Sequence, residues 1–252
     1  MKIGIIQGRL SEPKEGFQEC PTEWEREFDL LSELDLNHIE WIVTYENFHR
    51  NPIFHRDLKG YPISSVCADF MVSDKFCDLE YLNKFLRPLC RAVQNNNIKD
   101  ITIPLLENSS VNKKDVREKF IDIFYPYTEE YKNINFLIEA ELHQKKLKEI
   151  LGINTNLFVT YDTGNITSYG LNHEEYIEKV FFKIRNVHLK DRTTDPISTV
   201  EPGRGDTNFK LILDILNKKG YDFPYTIQTA RGKTGEEINT IRKHKLYYEK
   251  LI

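Results

Sequence analysis

Residues 136–162 read FLIEAELHQKKLKEILGINTNLFVTYD, and this stretch decides the fold class. Two short apolar runs, 136–140 and 157–161, flank an amphipathic segment of helical length. A short apolar run bounded by turn residues is typical of a buried parallel strand, and consecutive parallel strands need a crossover that is usually a helix. The stretch therefore predicts two parallel strands connected by a helix.

The same alternation extends in both directions along the chain. Six further apolar runs lie at 2–6, 38–43, 63–70, 101–106, 186–189 and 225–229. The clearest helices between them are predicted over 22–34, with Thr22 and Glu25 as a capping box, over 79–95, with Asp78 as N-cap, over 113–132 and over 236–251. Eight strands, each followed by a helix, predict the α/β class and a single (β/α)8 TIM barrel that spans residues 1–252 as one domain.

A doubly wound open sheet is the competing architecture. That fold usually carries a Gly-rich turn of the form G-x-G-x-x-G after an early strand. Here Gly8, Arg9 and Leu10 follow the first strand, and the G-x-G-x-x-G pattern does not occur in the sequence. The barrel is therefore favoured.

Composition and charge narrow the possible partners. The 252 residues include 35 Lys and Arg against 39 Asp and Glu, a formal net charge of −4 that disfavours nucleic acid as a partner. Apolar stretches are too short for a bilayer span or a signal peptide, so we expect a soluble, cytoplasmic protein without a membrane partner. The four cysteines form no Cys-x-x-Cys pair and are expected to be reduced, buried thiols.

Polar side chains stand at the carboxyl ends of the last four predicted strands, where barrel enzymes place their active sites. Strand five brings Glu139 and Glu141 to one face because side chains alternate along a strand. The next three strands bring Asp162, then His188 with Lys190, and then Gln228. Carboxylate, imidazole and amide ligands suit an octahedral site for Mn²⁺, Mg²⁺ or Co²⁺.

Each of these residues also has a purely structural interpretation. Asp162 precedes Thr-Gly-Asn and could be a turn residue, and His188 could be a histidine of the core. Glu139 follows two apolar residues, where an unpaired carboxylate would be costly, so it is expected to be either paired with another side chain or functional. The placement of all these groups on successive strands is what favours a metal site.

Other polar residues at strand ends are candidates for substrate binding. They are Gln7, Arg9, Asp69, Arg204 and Arg231. Flexible glycines flank Arg204 just before a predicted helix near residue 208, which suits an anion such as a phosphate. The alternative is an ordinary loop in which Asp206 or Thr207 caps the helix.

Three motifs and one carboxylate carry a resemblance to a known family. IGIIQGRL at 3–10, YDTGN at 161–165, NVHLKDR at 186–192 and the strand-five Glu139 resemble the xylose-isomerase-like TIM barrels over essentially the whole chain. That family includes sugar-phosphate isomerases and epimerases, ketose 3-epimerases and endonuclease-IV-type enzymes. The resemblance implies a divalent metal held by Glu139, Asp162 and His188. The fourth family ligand, a glutamate, is replaced here by Gln228.

The resemblance implies a metal-assisted isomerase or epimerase that acts on a small sugar or sugar phosphate through an enediolate, with Glu139 as the base. In the epimerases of the family, two glutamates move protons on opposite faces of the substrate. An amide does not exchange a proton in this way, so Gln228 disfavours a two-base epimerisation and leaves one-base isomerisation open. Glu141, Lys190 or Glu107 could serve as the second group, and loss of the metal is also open.

Three other functions are consistent with the resemblance. They are a polyol dehydratase or lyase of the same superfamily, a phosphodiester hydrolase of the endonuclease type, and a barrel that binds a sugar without converting it. The net charge and a total of seven histidines disfavour the hydrolase. The family also implies a homodimer or homotetramer.

Overall fold

In the computed structural model, which describes residues 1–12, 21 and 23–251, eight parallel strands form a closed barrel. In chain order, these strands are β1 Ile3–Ile6, β2 Ile39–Ile42, β3 Ile63–Cys67, β4 Asp100–Leu105, β5 Asn135–Ala140, β6 Leu157–Asp162, β7 Ile184–Leu189 and, after a hairpin of β8 Asp191–Thr194 and β9 Ile197–Val200, β10 Tyr225–Ile227. Around the barrel they follow the order β1-β10-β7-β6-β5-β4-β3-β2. The predicted α/β TIM barrel is confirmed.

The described residues also form eight α-helices. They are α1 Trp24–Glu33, α2 Leu79–Asn95, α3 Lys114–Glu130, α4 Gln144–Leu151, α5 Thr163–Ser168, α6 His173–Val180, α7 Phe209–Lys218 and α8 Glu237–Glu249. Asp78 caps α2 as predicted, because its carboxylate accepts from the Tyr81 amide at 3.0 Å. The predicted cap Thr22 lies outside the described residues. The expected cap of α7 was Asp206 or Thr207, and this is corrected. The side chain of Asn208 caps the helix, because it accepts from the Leu211 amide.

Two compact units make up the chain, one of Met1–Glu40 and Thr160–Ile252, the other of Trp41–Val159. In the first, Phe209 of α7 packs edge-on against Tyr248 of α8, and both side chains are buried. In the second, Phe48, Phe70 and Phe85 pack against one another in a buried aromatic cluster. That residues 1–252 form one domain stays a prediction.

Strand pairing within the first unit sets the heights of the candidate residues. β10 pairs with β1 on one side and β7 on the other, and Thr226 lies opposite His188. Because side chains alternate along strands, Gln228 follows Thr226 on the same face. The sequence did not predict the β8–β9 hairpin, which begins at Asp191 directly after β7.

The described part of the chain contains no helix long and apolar enough to cross a membrane. Cys67, Cys77 and Cys90 are buried and form no disulfide among the described residues, whereas Cys20 lies outside them.

Candidate metal centre

His188 lies near the carboxyl end of β7, and its ring is completely buried. Its Nε2 atom is 2.7 Å from Oε2 of Glu40 on β2, and Asn186 donates to the same oxygen at 2.8 Å. The other ring nitrogen, Nδ1, lies 3.8 Å from Oδ2 of Asp162. His188 is therefore a histidine placed between two carboxylates.

Asp162 ends β6 and has two roles. Its Oδ1 accepts from the Asn165 amide at 2.8 Å and so caps α5, while its Oδ2 lies 2.9 Å from the Lys190 ammonium. Burial alone would raise the pKa of Asp162, but the charge of Lys190, the His188 ring and the cap hydrogen bond outweigh burial and lower that pKa. This carboxyl group is therefore ionised at neutral pH.

A third side chain completes a group of possible metal ligands. Glu139, Asp162 and His188 are all buried, and each offers one ligand atom within 4.8 Å of the others. Carboxylate oxygens and a neutral imidazole nitrogen form a ligand set that Mn²⁺, Co²⁺ and Zn²⁺ accept. The triad can therefore bind a metal, and its composition alone does not select one ion.

Gln228 supplies a further oxygen near this height of the barrel. It directly follows β10, and its amide N–H donates to the Leu189 carbonyl at 3.1 Å. Its side-chain Oε1 is buried and has no hydrogen-bond partner among the described residues. A buried acceptor without a partner costs about 1–3 kcal/mol. A cation or a substrate hydroxyl at this oxygen would remove that cost, so the Gln228 oxygen is chemically suited to a divalent ion.

Two predicted substrate-binding arginines lie at the ends of β1 and β10. Arg231 donates to the carbonyl of Ser11 at 3.1 Å and to that of Gly8. Arg9 is buried, and burial together with the nearby charge of Arg231 lowers the pKa of Arg9 to about 9. Glu27 of α1 accepts from the amides of Gly8 and Leu10, and burial raises its pKa. This arrangement places two arginines and the Glu27 carboxylate near one another beside the first strand.

Gly8 is needed for this arrangement. Its φ of 80° lies in the left-handed region, which favours glycine, and it turns the chain so that its amide reaches Glu27 at 2.8 Å.

The predicted anion loop around Arg204 is already supported by a carboxylate of the chain. Asp191, which is fully buried, accepts from the amides of Gly203 at 2.8 Å, Gly205 at 3.0 Å and Thr207 at 3.2 Å. The Arg204 side chain itself is exposed. A phosphate at this loop would therefore have to rely on Arg204, because these three amides already have an anionic partner.

The remaining predicted residues differ in their surroundings. Gln7 is buried at the end of β1, and its amide donates to the Glu40 carbonyl at 2.9 Å. Burial and the nearby carboxylates of Glu46, Glu139 and Glu107 raise the pKa of Asp69 to about 6. Glu141 is half-buried and is not part of the triad, and Glu107 is exposed.

Sequence reasoning missed Glu40 and Asn186 as members of this site. Both are buried in the barrel. Glu40 contacts the candidate ligand His188 directly, and Asn186 donates to the same oxygen of Glu40. The signal was available in the sequence, because a glutamate inside the four-residue apolar strand IEWI is costly without a partner.

Comparison with known proteins identifies related folds. A family model described as xylose isomerase-like TIM barrel matches residues 112–245. No curated protein sequence matches the chain. Among solved structures, D-allulose 3-epimerase from Methylomonas sp. in complex with D-allulose has a TM-score of 0.75 at 11% identity, over 100% of this chain and 97% of that chain.

Two other solved structures are similarly close. The IOLI protein with a binding zinc atom has a TM-score of 0.73 at 15% identity, over 100% of this chain and 99% of that chain. The probable 3-DHS dehydratase AsbF from Bacillus anthracis has a TM-score of 0.73 at 15% identity, over 98% of both chains. At these identities the likenesses show the fold alone.

The region that the family model matches covers more than half of the chain. It includes Glu139, Asp162, His188 and Gln228, the residues placed at the carboxyl ends of the last four barrel strands. From the closed barrel and this match we conclude that the chain belongs to the xylose isomerase-like TIM barrel family.

Proposed function

We propose that this chain is a metal-dependent isomerase or epimerase that acts on a small sugar or sugar phosphate. The observation that carries the proposal is the buried triad of Glu139, Asp162 and His188, whose ligand atoms lie within 4.8 Å of one another. Two carboxylates and an imidazole are ligand types that divalent ions accept, so a bound cation is a physical reason for the arrangement.

Glu139, Asp162 and His188 would hold the cation, with the Gln228 oxygen as a fourth ligand. A bound divalent cation supplies Lewis-acid stabilisation of the negative charge that develops on substrate oxygens. The amide of Gln228 adds no charge, so this ligand set carries two negative charges where a glutamate at 228 would give three. The cation would accordingly be held less tightly than with three carboxylates.

Glu139 is the residue we propose as the base. A carboxylate beside the reacting carbon can remove the proton from one carbon of the sugar and return it to the neighbouring carbon on the same face. Gln228 has no exchangeable acidic proton for the opposite face. One-base 1,2-isomerisation is therefore the simplest reaction for these residues, and epimerisation would need Lys190 or Glu141 as a second group.

Substrate binding is assigned to Gln7, Arg9, Asp69, Arg204 and Arg231. Arg9 and Arg231 lie close enough to repel each other, and the carboxylate of Glu27 already offsets part of their charge, so a neutral sugar and a sugar phosphate both remain candidates.

The solved structures of similar fold support two reaction classes. One is described as a D-allulose 3-epimerase and another as carrying zinc, in keeping with a metal-dependent sugar enzyme. A third is described as a probable dehydratase, so a lyase that removes water from a polyol is the alternative. A homodimer or homotetramer in the cytoplasm stays a prediction.

The test is a screen of pentoses, hexoses and their phosphates with Mn²⁺, Co²⁺ or Mg²⁺ in deuterium oxide, followed by NMR. We expect aldose–ketose conversion or epimerisation with solvent deuterium at the reacting carbon. Glu139→Gln should lower the rate about 10²–10⁴-fold, the usual contribution of a positioned base. Glu174→Gln, an exposed change on α6, is the matched control.

The other outcomes separate the alternatives. A product that has lost water would support the dehydratase, and sugar binding without deuterium exchange would support a barrel that does not catalyse. Exchange that persists in Glu139→Gln at the parent rate would exclude Glu139 as the base.

A further inference from the structure

Five buried side chains form a continuous hydrogen-bonded chain inside the barrel, and we call it the inner polar chain. Each has at most 6% of its surface exposed. Its members, in order of contact, are His38, Thr226, Asn186, Glu40 and His188. All five belong to the same compact unit.

The hydrogen bonds of the inner polar chain have a defined direction. Thr226 donates its hydroxyl proton to Oδ1 of Asn186 at 3.0 Å, so the Asn186 amide turns its Nδ2 toward Glu40. Thr226 therefore has no proton to donate to His38. In the contact between them, Nε2 of His38 is the donor and the Thr226 oxygen, 3.3 Å away, is the acceptor. Burial lowers the pKa of His38 to about 4, so its ring is neutral at pH 7 and carries a single proton.

All of these donors lead to one acceptor, the Oε2 atom of Glu40. This oxygen accepts from Asn186 at 2.8 Å and faces Nε2 of His188 at 2.7 Å. Since Asn186 donates to this oxygen, the 2.7 Å contact assigns the role of second donor to the facing Nε2 of His188, which then carries a proton. A histidine that binds a cation is neutral, so with the proton on Nε2 its lone pair is on Nδ1, the atom 3.8 Å from Asp162.

We propose that Glu40 is a positioning residue that fixes the tautomer and ring orientation of His188, so that the Nδ1 lone pair is presented to a divalent cation beside Asp162. The proposal rests on the metal site of the proposed function. Carboxylates that hold a ligating histidine in this way typically contribute 10–100-fold to metal affinity. Asn186, which donates to the same oxygen, would in turn hold the Glu40 carboxylate in place.

The test compares two substitutions of Glu40 with a control from the same chain of hydrogen bonds. Glu40→Leu removes the acceptor, whereas Glu40→Gln can keep an oxygen at the position of Oε2 and so both hydrogen bonds. Thr226→Val removes a buried hydroxyl at the far side of Asn186 and shows what core damage alone does.

Two readouts are measured on each protein. The first is the tautomer of His188 in the metal-free protein at a pH at which its ring is neutral, from the 15N shifts of its ring nitrogens, assigned with a His188→Gln sample. The second is the affinity for Zn²⁺ alone, from calorimetry. We expect an Nε2–H tautomer in the parent and in Glu40→Gln, and a mixed or Nδ1–H ring in Glu40→Leu. Zinc affinity should fall 10–100-fold in Glu40→Leu and less than that in Glu40→Gln and Thr226→Val.

Several results would overturn the inference. They are an Nδ1–H tautomer in the parent, an unchanged tautomer in Glu40→Leu, or a loss of zinc affinity in Thr226→Val as large as in Glu40→Leu. If Glu40→Leu does not fold, the His188 tautomer of the parent and the zinc affinity of Glu40→Gln still test the role of Glu40. Absence of zinc binding by the parent would instead refute the proposed metal site, while the metal-free tautomers still test the role of Glu40 in setting the ring.

Discussion

Removal of the Asp191 carboxylate should destabilise the protein because three loop amides depend on it. The carboxylate is fully buried and accepts from Gly203, Gly205 and Thr207 at 2.8–3.2 Å. The Thr207 hydrogen bond is buried, whereas those of Gly203 and Gly205 are partly buried. In Asp191→Ala, water can therefore replace the carboxylate at two amides more easily than at the third.

The size of the effect follows from these differences in burial. An orphaned buried donor costs about 1–3 kcal/mol and each lost hydrogen bond about 1 kcal/mol, so Asp191→Ala should lower the free energy of unfolding by about 3–5 kcal/mol. For a chain of this length that corresponds to a fall in Tm of roughly 6–20 °C. Asp191→Asn should fall between the parent and Asp191→Ala, because its single oxygen can serve only one side of the carboxylate position.

The assay is thermal and urea unfolding followed by circular dichroism. Asp206→Asn is the matched control, since this exposed carboxylate of the same loop accepts from Thr194 at 2.7 and 2.8 Å in contact with solvent. Its Tm should remain close to that of the parent. If Asp191→Ala were as stable as Asp206→Asn, the reasoning that the buried carboxylate supports the loop would be refuted.

Three further predictions concern charge in the barrel. Gln228→Glu should tighten the binding of Mn²⁺ or Zn²⁺, measured by calorimetry, because it adds a third carboxylate to the ligands; weaker binding would show that residue 228 does not face the ion. Burial raises the pKa of Asp69 to about 6, so its contribution to stability is present at pH 4 and lost as the pH rises through 6. Asp69→Asn should therefore gain stability relative to the parent between pH 4 and pH 7, by up to about 3 kcal/mol in urea titrations with chelator, and a difference independent of pH would contradict this. Burial lowers the pKa of His38 to about 4, so its contribution is present above pH 6.5 and lost as the pH falls toward 4; His38→Gln should lose less stability over that range than the parent does, and an equal loss would argue against a neutral His38.

The fold was accessible from the sequence because local signals repeat along it. The apolar runs at 136–140 and 157–161 lie within β5 and β6, and Asp78 caps α2 as its chemistry predicts. Alternation of strand and helix then permits few topologies. The β8–β9 hairpin was missed because it is only partly buried and its sequence lacks an apolar periodicity.

Only part of the candidate site could be predicted from the sequence. The family resemblance named Glu139, Asp162 and His188, and the structure brings their ligand atoms together. Glu40 was not assigned a role, because it contacts a residue 148 positions away in the chain and sequence spacing carries no information about such a pair. Asp191 was assigned no role from the sequence, yet it is fully buried and accepts hydrogen bonds from backbone amides.

The inner polar chain from His38 to His188 also restricts which substitutions this barrel can accept. Hydrocarbon interiors tolerate many exchanges among Val, Ile and Leu as long as volume is kept. Here, an apolar replacement of any middle member would leave its neighbours with buried groups facing no partner. In a library covering every position, these five sites should therefore accept far fewer residue types than the isoleucines beside them, and a redesigned interior would have to exchange the polar members together.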